Sequence, residues 1–428
     1  MATVVGLIVG LGILRTPGDI AGTVSDPTTY MLLWIVGGAF VLLTVGTVAE
    51  LFALTPKSGG IYALVQNAFG PYAGFVIGWT DVMASCSAGA VKAVVLAEYA
   101  ALLIPELGLH ITPFALVLTT IFAGLQLGGL SLGAKIQQSA SVGIGLIMIG
   151  LAIALFAGYL LSGTAVVAPE ALVADDRTAF VAWGAVITAI VFTYDGWVAP
   201  TYFSGEMKSG AADVAVGAIR GTMVVIAFYI ALNLALVLAV PLEALAGQKL
   251  ALSAAIEMVY GAGAGTIVLL CAIFILLAHQ NLQYMNVSRT LYALSIDGMG
   301  VKQATRVSDL GTPVGAVLFS WVAIAGLILA GGFNFLLSLT TFLLMLTYFG
   351  MLFGIFLLRK NRPDVQRPFR AWGYPYLTTL VTVLWTLLIG FVGYSSPKSV
   401  GYAIALIAIS APAYWALKRY RGTAIEAT

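Results

Sequence analysis

Apolar residues in this chain arrive in long unbroken blocks rather than alternating with polar ones. Residues 27–49, 107–134, 136–169, 221–242, 258–288, 311–358, 371–397 and 399–417 contain no Asp, Glu, Lys or Arg. Each block can cross about 30 Å of hydrocarbon, which takes roughly 20 helical residues. The block 311–358 has room for two crossings, with GGFN (331–334) as the turn. The alternating polarity of a membrane β-barrel is missing. The pattern predicts twelve spans, near 1–24, 30–53, 71–101, 112–129, 138–162, 179–205, 217–240, 263–295, 312–330, 333–358, 374–394 and 399–417. The prediction is an all-α integral membrane protein without a soluble domain.

Composition agrees. The chain has 428 residues, 61% of them hydrophobic and 9% charged, with a mean hydropathy of +1.02. A soluble domain is nearer half apolar and a quarter charged, so lipid is the expected solvent. The net charge of +2 offers no case for nucleic acid. Cys86 and Cys271 fall in apolar segments and read as small buried hydrophobes; no metal-ligand spacing and no cofactor motif is present. Residues 1–14 read as part of the first span rather than a cleavable signal, and the chain begins inside that helix, so a short preceding cytoplasmic segment is expected. With the N-terminus inside, fifteen Lys and Arg fall in inner loops and three (Arg177, Lys249, Lys398) in outer ones, while Arg15 and Lys92 lie within spans. That bias predicts a plasma-membrane protein with both termini cytoplasmic. The basic loop 358–375 reads as an orientation anchor near anionic lipid.

Two spans are interrupted. Span one reads VVGLIVGLGILRTPG (4–18) and span six VFTYDGWVAPTYFSG (191–205); each has glycines mid-span and then a proline. Gly12 and Gly196 are 184 residues apart, the pattern expected of two inverted five-helix repeats whose broken first helices meet at the bilayer midplane. The predicted units are 1–162 (spans one to five), 179–358 (spans six to ten) and 374–417 (spans eleven and twelve). Unpaired backbone groups in lipid cost several kcal/mol each, so a break persists only where something replaces the lost bonds. Free N–H groups at the start of the outer half-helix suit a carboxylate. Free carbonyls at the end of the inner half-helix suit an ammonium. An α-amino acid carries both.

These residues resemble the amino acid–polyamine–organocation superfamily of secondary transporters over essentially the whole chain. The matching motifs are GLGIL (10–14), AELFALTPKSGGIYALVQNAFGPYAGFVIGW (49–79), FTYDGW with GEMK (192–197, 205–208), SRTLYALSIDG (288–298) and LRKNRPDVQRPFRAWGYP (358–375). The resemblance implies a five-plus-five inverted-repeat fold, similar to that of leucine transporters, with two further spans, and amino acid transport by alternating access. It implies that the backbone of Gly10, Leu11 and Gly12, with Ile13 beside them, meets the substrate carboxylate. It implies that the backbone of Phe192, Thr193 and Asp195 meets the amine, with Phe192 as an aromatic lid and Gly196 and Trp197 at the break. Many relatives carry a lysine partway along span five; here that position falls near Ile144.

Several polar residues inside spans have two readings each, because ionisable groups in a membrane are costly and usually functional. Asp195 contacts the substrate amine or takes up a proton; alternatively it caps the outer half of span six. Arg15 attracts a carboxylate or forms a gate pair; alternatively it pairs locally with Asp19. Lys92 stands in for the absent span-five lysine or snorkels to the outer surface. His279, Gln280 and Asn281 interrupt span eight, and Gln280 and Tyr284 share a face: they shape the side-chain pocket with His279 as a proton site, or they are interhelical hydrogen-bond glue. Glu50 and Glu98, near span ends, read as structural; Trp34, Trp79, Trp321, Trp372 and Trp385 read mostly as interfacial belt residues, and Trp197 falls at a break. No nucleophile or acid pair supports an enzyme, and no continuous polar pore supports a channel. The expected function is a secondary transporter of neutral or broad L-amino acids with proton coupling or exchange. Its expected partners are a small amino acid, the bilayer and protons. The alternatives are a cationic amino acid or polyamine carrier and a non-transporting sensor.

Overall fold

A computed structural model describes residues 8–54, 60–128, 130–162, 176–202 and 211–426. Lys57, Lys208, the first seven residues of span one, most of the acidic loop at 169–178 and the GEMK motif lie outside the described residues, as do the side chains of Lys135, Arg177 and Arg421. The described residues form fifteen α-helices and no strand: α1 (Leu11–Ala21), α2 (Pro27–Leu54), α3 (Ile61–Phe69), α4 (Pro71–Leu103), α5 (Ile111–Leu127), α6 (Leu130–Ser162), α7 (Asp176–Thr193), α8 (Ala211–Ala239), α9 (Leu242–Leu245), α10 (Ala251–Tyr260), α11 (Ala262–Ile296), α12 (Val314–Ala330), α13 (Phe333–Asn361), α14 (Tyr376–Ser395) and α15 (Pro397–Glu426).

The helix starts follow local chemistry. Pro27 opens α2 where its missing N–H costs nothing. The Asp26 carboxylate before it accepts the Thr29 N–H at 2.7 Å and the Thr29 hydroxyl at 2.6 Å, satisfying an orphan donor of the first turn. Nine described stretches are long and apolar enough to cross a membrane. Helix α12, with 17 residues, is slightly shorter, and α1 and α7 are short because spans one and six are broken. The predicted turn at GGFN is present: α12 ends at Ala330 and α13 begins at Phe333.

Two short helices were not anticipated, because charge-free runs were the guide and neither α3 nor α10 spans a membrane. Each precedes a long helix through a glycine with left-handed backbone. Gly70, at φ 90°, joins α3 to the 33-residue α4, and Gly261, at φ 91°, joins α10 to the 35-residue α11. Only glycine takes that conformation without strain.

Helices α4 and α13 are mostly buried and central, whereas α15 is largely exposed and peripheral. Trp34 and Trp385 are buried in the helix packing rather than lying in an interfacial belt. Trp34 meets Tyr194 and Tyr229 edge-on, and Trp385 donates its indole N–H to the Thr44 hydroxyl at 3.0 Å. Two ends are defined by polar contacts. At one, buried Glu50 meets Arg359, Arg367 and the Ala371 N–H. At the other, Arg15 meets Glu98, beside Lys249.

Candidate functional site

Both spans break where the glycines stand. Ile8 is helical, Val9 and Gly10 bend, and helix resumes at Leu11. Helix α7 stops at Thr193, residues 194–198 are irregular, and a 3-10 turn covers Ala199–Tyr202. The two broken segments touch backbone to backbone. A Cβ on Gly12 would sit 2.5 Å from the Thr193 Cα, and one on Gly10 2.5 Å from the His279 ring. One turn on, the Thr16 and Thr193 hydroxyls share a hydrogen bond of 2.7 Å.

A cavity of about 90 Å³ opens at the breaks. Span one contributes Ile8, Gly10, Leu11 and Gly12; span six contributes Phe192, Asp195, Gly196, Val198 and Tyr202. Ala84, Ser85, Ala88 and Lys92 line it from α4, His279, Leu282, Gln283 and Asn286 from α11, and Leu344 from α13. The α4 residues share one helical face, and three of the four are small, which leaves the space. The cavity has room for several waters.

The backbone accounting is lopsided. Helix α1 starts at Gly10 with no side-chain cap and no acidic residue in its first turn, so its leading N–H groups keep their affinity for an anion. The carbonyls on the other side of that break are occupied. Ile8 accepts the Tyr229 hydroxyl at 2.9 Å, and Val9 bonds His279 Nε2 at 2.8 Å, which makes Nε2 the donor. Each of these two carbonyls thus already has one partner in the protein. In span six the Phe192 carbonyl already accepts the Asp195 N–H at 3.2 Å. The anionic group left facing the cavity is the Asp195 carboxylate, which also accepts the Tyr348 hydroxyl. Asp195 follows the C-terminal end of α7, so it does not N-cap the half-helix that precedes it.

Lys92 does not snorkel to the surface. Its ammonium donates to Gln283 Oε1 at 2.5 Å, and Gln283 Nε2 donates to the Ser85 carbonyl at 2.9 Å. That bridge between α4 and α11 holds the charge on the cavity wall, within electrostatic reach of Asp195. His279 lies on the same wall.

Other expected site residues lie elsewhere. Ile13, Thr193 and Trp197 are buried at the breaks but off the lining; Trp197 packs on Tyr348, with ring centroids 4.6 Å apart. Gln280 is buried, and neither amide atom has a partner among the described residues. The Tyr284 and Thr119 hydroxyls share a hydrogen bond at 2.5 Å. The α11 face that meets the cavity is 279, 283 and 286, one residue out of phase with the 280 and 284 expected. Stepping by four and seven from His279 would have found Gln283 and Asn286. Asn286 Oδ1 has no partner among the described residues.

The sequence profile of the amino acid permease family matches residues 1–410. The chain belongs to this family. It is 24% identical to the serine/threonine exchanger SteT of Bacillus subtilis, over 99% of this chain and 96% of that one. It is 24% identical to the mouse b(0,+)-type amino acid transporter 1, covering 90% and 79% of the two chains. Identity to the human large neutral amino acids transporter small subunit 2 is 24%, covering 96% and 78%. The protein is thus a secondary amino acid transporter of the amino acid–polyamine–organocation superfamily with an all-α membrane fold.

Two further clusters flank the permease cavity. Arg15 is off the lining. It pairs with Glu98, lies 4.0 Å from Asp19 and stacks 3.5 Å over the Phe333 ring. The local Asp19 contact exists, but the long-range pair with α4 is the shorter one. Asp81, which the sequence reading passed over, is 1% exposed within α4 and accepts the Tyr202 hydroxyl at 2.9 Å. It thereby ties α4 to the far side of the span-six break. Ile144 in α6 is a buried apolar residue.

Proposed function

We propose that this permease carries small neutral L-amino acids by alternating exposure of the cavity between its two broken spans, and that it works as an exchanger. The observation that carries this is the uncapped N-terminus of α1 opening onto a small cavity that also presents Asp195. A substrate carboxylate takes the free N–H groups of Leu11, Gly12 and Ile13. Its ammonium takes the Asp195 carboxylate and span-six carbonyls, and Phe192 covers it. Asn286 Oδ1 and Ser85 are placed for a short polar side chain. The name of the exchanger SteT supports the serine and threonine class. Lys92 on the wall disfavours a cationic side chain, which would have to share Asp195 with it.

The twin turns at Gly70 and Gly261 support two repeats of one plan, spans one to five and six to ten, with α14 and α15 appended and twelve spans in all. The bias of Lys and Arg supports a cytoplasmic location for both termini and the Glu50 end, in a plasma membrane. His279, bonded to the Val9 carbonyl, ties the first half of span one to α11, a bond that must break if that segment swings.

The test is counterflow in proteoliposomes. Labelled serine, threonine or alanine outside should accumulate only when unlabelled substrate is inside. Equal uptake into empty vesicles driven by a pH gradient would replace exchange with proton coupling, and binding without flux would make the protein a sensor.

A further inference from the structure

The Glu50 end carries a second cavity, of about 450 Å³, far from the substrate site in composition: Arg359, Lys360, Arg367 and Arg370 line it together with the rings of Phe356 and Tyr374. Its floor is built from the loop between α13 and α14. Arg367 is committed to that loop, donating through Nη1 and Nη2 to the carbonyls of Pro363, Val365 and Arg362 at 2.8 to 3.0 Å. Arg359 gives Nε and Nη2 to Glu50 and lies 3.8 Å over the Tyr374 ring, which leaves Nη1 for another acceptor.

The charges do not cancel. Glu50, the carboxylate that meets this cluster, has both oxygens occupied by Arg359, Arg367 and the Ala371 N–H. Asp364, the one acidic residue of the loop 358–375, is not on the lining. Lys360 and Arg370 are exposed and have no ion-pair partner among the described residues. Arginine forks and a lysine around one opening are the donor set that phosphate oxygens fit.

Position narrows the source. The loop joins the end of one apolar helix, Asn361, to the start of the next, Tyr376, so the cavity sits at headgroup depth. Phe356 and Tyr374, with centroids 5.7 Å apart, give it an apolar side, and Phe353 and Tyr376 are exposed beside it. The volume is far larger than an isolated phosphate needs. We propose that this cavity binds a phosphate-bearing anion, and that its occupant is the headgroup of an anionic phospholipid held against α13 and the 358–375 loop. The inference does not depend on the transport reading.

The experiment measures the thermal midpoint of the purified full chain in detergent. Phosphatidylglycerol, phosphatidylcholine and millimolar inorganic phosphate are added separately. The test variant is Lys360→Gln/Arg370→Gln, which leaves the Glu50 contacts intact. Phosphatidylglycerol should raise the wild-type midpoint and phosphatidylcholine should not. The variant should keep its lipid-free midpoint and bind phosphatidylglycerol about fivefold more weakly per charge removed. A charge-keeping Lys360→Arg/Arg370→Lys variant should respond as wild type, which separates charge from misfolding. An equal midpoint rise with inorganic phosphate keeps the site and assigns it to a soluble phosphate. Equal responses to the two lipids, or an undiminished response in the charge-removed variant, overturn the proposal.

Discussion

Gly12 sits where the two half-helices touch, and it cannot be replaced cheaply. Gly12→Ala puts a methyl 2.5 Å from the Thr193 Cα, and because the obstacle is backbone the segments must part. Overpacking of that kind costs about 1–3 kcal/mol. The expected outcome is a lower melting temperature together with loss of substrate-induced stabilisation. Gly150→Ala in α6, with nothing within 4 Å of its new methyl, should be neutral or slightly stabilising, since Ala favours helix over Gly by up to about 1 kcal/mol. Two variants test the charges. Lys92→Met leaves Asp195 as the cavity's fixed charge and should shift selectivity toward cationic amino acids by about fivefold, the worth of a ~1 kcal/mol charge interaction. Competition of ornithine against serine for uptake measures it; an unchanged ratio would remove Lys92 from specificity. Asp195→Asn should abolish any dependence of transport on a proton gradient if that carboxylate is the titrating group. Serine flux from pH 5 to 8 decides this: a profile unlike the wild type's supports the role, and an identical one rejects it.

At the scale of elements, one buried carboxylate joins α2 to the end of α13 and the loop beyond it. Glu50 is fully buried and receives two arginines and a backbone N–H. Replacing it by Gln leaves Arg359 and Arg367 without their counter-charge, and breaking a buried pair from one side costs about 3–5 kcal/mol. Glu50→Gln should therefore melt several degrees lower than wild type in lipid-free detergent, with serine raising both midpoints alike. Neither Glu50 nor its partners line the substrate cavity, so ligand affinity in the surviving fold should hold. An unchanged melting temperature would show that the loop is held by its own carbonyl contacts instead.

For the whole molecule, charges from three places in the chain meet at the Arg15 end, an arrangement that suits a closure. Arg15 in α1, Glu98 in α4 and Lys249 before α10 meet there, and Phe333 packs beneath the guanidinium. Alternating access requires such a closure to be reversible. Arg15→Gln or Glu98→Gln should bias the permease toward opening at that end. A cysteine placed at Ala88, in a background lacking Cys86 and Cys271, should then react faster with a membrane-impermeant thiol reagent added from the Arg15 side. Reaction at the wild-type rate in both variants would mean that the pair is not a gate.

Membrane class, the order of long helices and the sites of both breaks were legible in the chain because they depend on local composition. A charge-free run of the right length asks for lipid, and glycines with a proline mid-run interrupt the helix wherever it later packs. Partnerships were a different matter. Arg15 could be assigned Asp19 at four residues, but not Glu98 at 83. Nothing local pointed Glu50 to Arg359, Lys92 to Gln283, or Asp81 to Tyr202. Those pairs depend on helix rotation and depth, which only the packing of neighbours sets. One residue of phase error turns a side chain by about 100°, which is why Gln280 was expected on the cavity and Gln283 stands there. The same packing decided which ends found partners: Tyr229 and His279, distant in the chain, reach the first carbonyls, while the start of α1 has no side-chain cap among the described residues.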